Sequence, residues 1–99
     1  MAIAVQIDVP DVSLDVYDTA IEIAGFLPGG PLPSGGLFHW VTKTDTGIRI
    51  VNVWASQQSF DEFVERQFDI IREVGVDPDS LEVQFFEVHN YLSGGRSRS

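Results

Sequence analysis

The chain has 99 residues, 43% of them hydrophobic, a formal net charge of −9 and no cysteine. That is one domain of chain, apolar enough to exclude global disorder, and it can form neither disulfides nor thiolate-based sites. Fifteen acidic against six basic residues repel a phosphate backbone, which argues against a nucleic-acid partner.

No apolar run approaches the roughly 20 residues of a membrane span. Residues 1–9 lack the basic start and continuous apolar stretch of a secretory signal. The expected localisation is therefore cytoplasmic, with no membrane partner.

Residues 2–9 alternate: Ile3, Val5, Ile7 and Val9 share one face, and Ala4, Gln6 and Asp8 the other. This pattern predicts a half-buried strand broken at Pro10. Residues 13–25 predict a helix capped by Ser13 and stopped by Gly25, with Val16, Tyr17, Ala20, Ile21 and Ala24 in its apolar stripe. Residues 26–36 hold three of the five prolines and four of the nine glycines, so they form an irregular connector or a lid over a site.

Two strand-forming runs follow, residues 37–42 and 48–55, around a turn at Asp45-Thr46-Gly47, and they predict a β-hairpin. Ser56 is a good cap for a helix over residues 57–75, with Ser59 a competing cap three residues on. Its stripe holds Phe60, Phe63, Val64, Phe68, Ile71 and Val74. A turn at Asp77-Pro78-Asp79 leads to a last strand over residues 81–91. The tail at residues 93–99 reads as flexible.

Strand, helix, strand, strand, helix, strand predicts a ferredoxin-like α+β fold. Its four-stranded antiparallel sheet has spatial order 4-1-3-2 and both helices on one face. The single domain spans residues 1–92. A hairpin with a four-residue loop pairs Lys43 with Ile48, Val41 with Ile50 and His39 with Asn52. On this reading Phe38, Trp40, Val51 and Val53 face the helices. The open face then carries His39, Val41, Ile48, Ile50, Asn52 and Trp54 beside Ala4, Gln6 and Asp8. A largely apolar open face is expected to be buried against a second copy of the chain, enclosing a cavity between the two sheets.

The segment Trp54-Ala55-Ser56-Gln57-Gln58-Ser59-Phe60 resembles the W-x-S-x-x-x-F signature of the antibiotic biosynthesis monooxygenase-like proteins. The Phe38-His39 pair, Tyr17 and the ending Phe86-Glu87-Val88-His89-Asn90-Tyr91 resemble a small branch of that superfamily. The resemblance covers about residues 2–91. It implies a dimeric α+β barrel, and an activity such as cofactor-independent monooxygenation or polyketide-type cyclisation of an aromatic small molecule. Some members have no known activity, so a non-catalytic binding or structural dimer is the alternative. Haem-degrading members use a histidine on the second helix and an asparagine on the first strand. Here the second helix has no histidine and Gln6 stands in the corresponding region.

The candidate catalytic residues are His39 as base, Asn52 as positioning donor and Trp54 as a stacking wall. Candidate substrate contacts are Gln6, Asp8, Tyr17, Ile50, Phe85 and His89. Each also has a purely structural role open to it. Trp54 can pack at the strand-to-helix turn, and each histidine can be a hydrogen-bonded strand residue. His39 and His89 fall on opposite sheet edges, three strand steps of about 4.8 Å apart. Even with Asp8 and Glu87, their spacing matches no metal motif, so no metal or cofactor is expected. A cavity of a few hundred Å³ reached through residues 26–36 would favour an active site. Closure by Trp54, Phe85 and Ile50 would favour a structural dimer.

Overall fold

The computed structural model of the chain describes residues 1–92; the tail expected at residues 93–99 lies outside them. In chain order the elements are β1 (Ile3–Pro10), α1 (Leu14–Ala24), β2 (Gly36–Lys43), β3 (Gly47–Trp54), α2 (Gln57–Glu73), a 3-10 turn (Pro78–Ser80) and β4 (Glu82–Glu87). The sheet is antiparallel with order β2-β3-β1-β4. This is the expected ferredoxin-like order read from the other edge.

Local chemistry accounts for the boundaries. The Ser13 side chain accepts from the Val16 N–H at the start of α1, and Gly25 ends the helix in the left-handed region at φ 85°. Ser56 rather than Ser59 caps α2, its side chain accepting from the Ser59 N–H. Gly47 pairs with Pro10 where any Cβ would meet the carbonyl oxygen of Val9, so the hairpin tolerates only glycine at this approach. The last strand is shorter than expected. It ends at Glu87, although Val88 still donates a backbone hydrogen bond to Ala2.

The hairpin register is the expected one: His39 opposes Asn52, Val41 opposes Ile50 and Lys43 opposes Ile48. The faces, however, are reversed. Val5 of β1 opposes Asn52, Ile7 opposes Ile50 and Val9 opposes Ile48, so these six residues share one side of the sheet. The buried core joins Val5, Ile7, Val9, Ile48 and Trp54 to Phe60 of α2. The side carrying His39, Val41, Ile48, Ile50, Asn52 and Trp54 is therefore the helix-covered side.

The open side instead carries Phe38, Trp40, Val51 and Val53, with Ala4, Gln6 and Asp8 of β1 and Phe86 of β4. The alternation within each strand was legible. The hairpin could be turned over only by its pairing with β1, which is a contact between distant parts of the chain.

The open face remains apolar. Phe38 is 41% exposed, Trp40 42% and Phe86 49%. Toward one end of it Arg49 Nε donates to Asp8 Oδ1 at 2.7 Å, and the Gln6 amide donates to Asp8 Oδ2 at 3.2 Å. The Arg49 hydrogen bond chiefly holds the Asp8 carboxyl below its ordinary value, against the opposing effect of burial.

Phe60 meets Trp54 and Phe85 edge-on, with centroids 6.1 and 5.5 Å apart. It is the buried link between α2 and the sheet. Phe60→Ala is expected to lower the free energy of unfolding by about 3–5 kcal/mol, read from the urea midpoint at unchanged slope.

Candidate functional site

Asn52 sits in the middle of β3 on the covered side and is only 3% exposed. A buried amide needs partners. His39, directly across on β2, supplies one, with its Nδ1 2.6 Å from Asn52 Oδ1. The amide oxygen can only accept, so His39 carries its proton on Nδ1 and presents the Nε2 lone pair. Tyr17 reaches down from the apolar stripe of α1. Its ring stacks on His39 with centroids 6.0 Å apart and planes 17° apart, and its hydroxyl is in close hydrogen-bond contact with Nε2. The result is a linear chain: Tyr17 O–H to His39 Nε2, and His39 Nδ1–H to Asn52 Oδ1. Burial, and then the negative charge of Asp18, push the Tyr17 phenol above its ordinary value, so at neutral pH it stands as a donor.

Two hollows adjoin this chain. The larger, about 510 Å³, lies beneath the Gly- and Pro-rich segment and is lined by Leu27, Pro31, Leu32, Trp54 and the three chain residues. Its volume is that of a small-molecule site. The loop is anchored beside it, since Gly36 donates to Pro33 O and Ala55 donates to Gly35 O. Trp54 is 2% exposed and stacks obliquely on Phe63 with centroids 4.9 Å apart. Its indole N–H is buried with no hydrogen-bond partner among the described residues. The smaller hollow, about 140 Å³, lies between the helices and strands β1 and β3, and it shares Tyr17, His39 and Asn52 with the larger.

Of the residues singled out from the sequence, Tyr17, His39, Asn52 and Trp54 come together at the larger cavity, and Ile50 lines the smaller one. Phe85 is on the same side of the sheet but packs on Phe60 and lines neither hollow. Gln6 and Asp8 lie on the opposite face, because β1 alternates and its Val5–Val9 side is the buried one. His89 is exposed beyond the end of β4 and lines neither hollow.

The cavity itself lies at the β2 edge, between the sheet, α1 and the 26–33 segment, and Phe38 and Trp40 of the open face also reach its wall; it is not a space between two sheets. Ile21 and Phe63 also line it; as members of helical stripes they carried no signal beyond core packing. Among the described residues no group of three His, Asp or Glu side chains could hold a metal ion. No helix there is long and apolar enough to cross a membrane.

The fold and this site define the class: a ferredoxin-like α+β protein with a small-molecule-sized cleft beside its sheet. The chain is similar in structure to a protein from Deinococcus radiodurans provisionally assigned as an antibiotic biosynthesis monooxygenase, whose crystal structure was determined at 1.40 Å resolution. The TM-score is 0.57, with 97% of this chain and 100% of the other covered, at 15% sequence identity. The chain thus has the antibiotic biosynthesis monooxygenase-like fold, and at that identity the likeness carries the fold alone. No protein-family model and no curated protein matches its sequence.

Because burial raises the folded-state Tyr17 pKa, this phenol binds its proton more tightly in the folded chain than in the unfolded one. The associated stability is fully present below the unfolded value of about 10. It is lost as pH rises through the folded value. An alkaline titration followed by phenolate absorbance should show one tyrosine ionising late, and Tyr17→Phe should remove that component.

Proposed function

We propose that this protein is a cofactor-independent enzyme that starts its reaction by taking a proton from an acidic hydroxyl or enol of an aromatic, polyketide-like small molecule. The observation that supports this reading is the Tyr17–His39–Asn52 chain, which ends against a cavity of about 510 Å³. A hydroxyl bound beside Tyr17 donates to the phenol oxygen. As its proton moves to Tyr17, the Tyr17 proton passes to His39 Nε2. The imidazolium so formed is held by Asn52 Oδ1, and Asn52 acts as a positioning residue. Trp54 contributes an apolar part of the cavity wall.

The deprotonated substrate is an electron-rich carbanion or enolate. With dioxygen as oxidant, a ring methylene becomes a carbonyl and the second oxygen atom leaves as water. Without dioxygen, the same enolate attacks an internal carbonyl and closes a ring.

The apolar open face of the sheet calls for a partner of the same kind. On this reading the protein works as a homodimer joined through Phe38, Trp40 and Phe86. Light scattering should give twice the 11.0 kDa chain mass, and Trp40→Glu should reduce it to the monomer value.

His39→Ala is expected to lower kcat on an anthrone- or polyketide-type substrate by roughly a hundred- to ten-thousand-fold, with bound substrate still quenching Trp54 fluorescence. Oxygen uptake separates oxygenation from cyclisation. Tight binding without turnover in the wild-type chain would instead favour a ligand-storing dimer.

A further inference from the structure

The smaller hollow has no part in the proton transfer. It measures about 140 Å³, and its wall includes Val9, Val16, Ala20, Ile48, Val64 and Ile71. Apart from Gln67, the only polar residues lining it are Tyr17, His39 and Asn52. Water in so apolar a hollow finds few hydrogen-bond partners, whereas an apolar group placed there leaves water favourably. Its natural occupant is therefore hydrocarbon, and it adjoins the larger cavity at the residues proposed to hold the reacting hydroxyl.

We infer that the substrate bears an aliphatic chain next to its acidic hydroxyl. The planar head occupies the larger cavity, the hydroxyl meets Tyr17, and the chain runs past His39 into the smaller hollow. This rests on the proposed site and narrows its ligand from aromatic molecules in general to alkylated phenols and enols. Ala20 on α1 is the small residue that keeps the hollow open from the helix side. Neither Ala20 nor Val64 takes part in the hydrogen bonds of the chain.

The test uses two probe series of increasing chain length, meta-alkylphenols and n-alkylbenzenes, titrated by calorimetry into the full-length wild-type protein, Ala20→Phe and Val64→Phe. Thermal melts confirm that each variant is folded, and two filling variants guard against the loss of either one. In the wild-type protein, affinity should rise about fourfold per methylene until the hollow is full, then level off. Ala20→Phe and Val64→Phe should abolish that rise while leaving the affinity for unsubstituted phenol unchanged. An equal rise in wild-type and filled proteins, no rise at all, or no binding of either series would overturn the inference. The head site is read separately. Alkylphenols that bind no better than alkylbenzenes, with the chain-length rise intact, would remove the role given to Tyr17 and leave the hydrocarbon chamber standing.

Discussion

The pairing of Val5 with Asn52 across β1 and β3 governs the interior of this protein. Val5 belongs to the most buried stripe of the central strand, and the antiparallel ladder places Asn52 on the same side. An amide is thereby carried into an apolar core, where leaving it unbonded would cost about 1–3 kcal/mol. His39 is the residue directly opposite on the edge strand and satisfies it. That bond orients the imidazole and fixes which nitrogen bears the proton. Tyr17 can then close the chain from above. One register thus brings together and orients three side chains from three elements.

The space beside that chain has an equally local origin. Helix α1 contains no fully buried residue, whereas α2 drives Phe60 into the core. Ala20 of the shorter helix is a small residue on the wall of the smaller hollow. At the β2 edge, where a regular element would bury its own side chains, the chain instead crosses in a segment of prolines and glycines, which roofs the larger cavity. The apolar hollow shares the His39 imidazole with it.

The outer face of the sheet poses a different constraint. Phe38, Trp40 and Phe86 stand exposed around Val51 and Val53, and polar groups gather mainly at the Asp8–Arg49 end. The two faces differ in character, although Phe38 and Trp40 also reach the wall of the larger cavity at the β2 edge. The inner one builds a site from a few polar groups set in hydrocarbon, and the outer one offers the surface by which a second chain would shield the first. The hydrogen-bonded chain is complete within a single copy of the chain.

Residue order by itself determined the elements, their caps, the hairpin register and the ferredoxin-like topology. These depend on alternation, helical spacing and turn chemistry, which act between residues close in sequence or joined by a short turn. It also brought His39 and Asn52 together as a cross-strand pair. Which way that pair faces was decided only by the ladder between β1 and β3, whose partners are 37 to 51 residues apart in the chain. The alternation of a strand is the same viewed from either side, so no local signal distinguishes a His39 aimed at a partner chain from one aimed at the helices. The tertiary pairing broke that symmetry. In doing so it separated Gln6 and Asp8 from the site, brought Tyr17 onto His39, and moved the cavity from between two sheets to the edge of one.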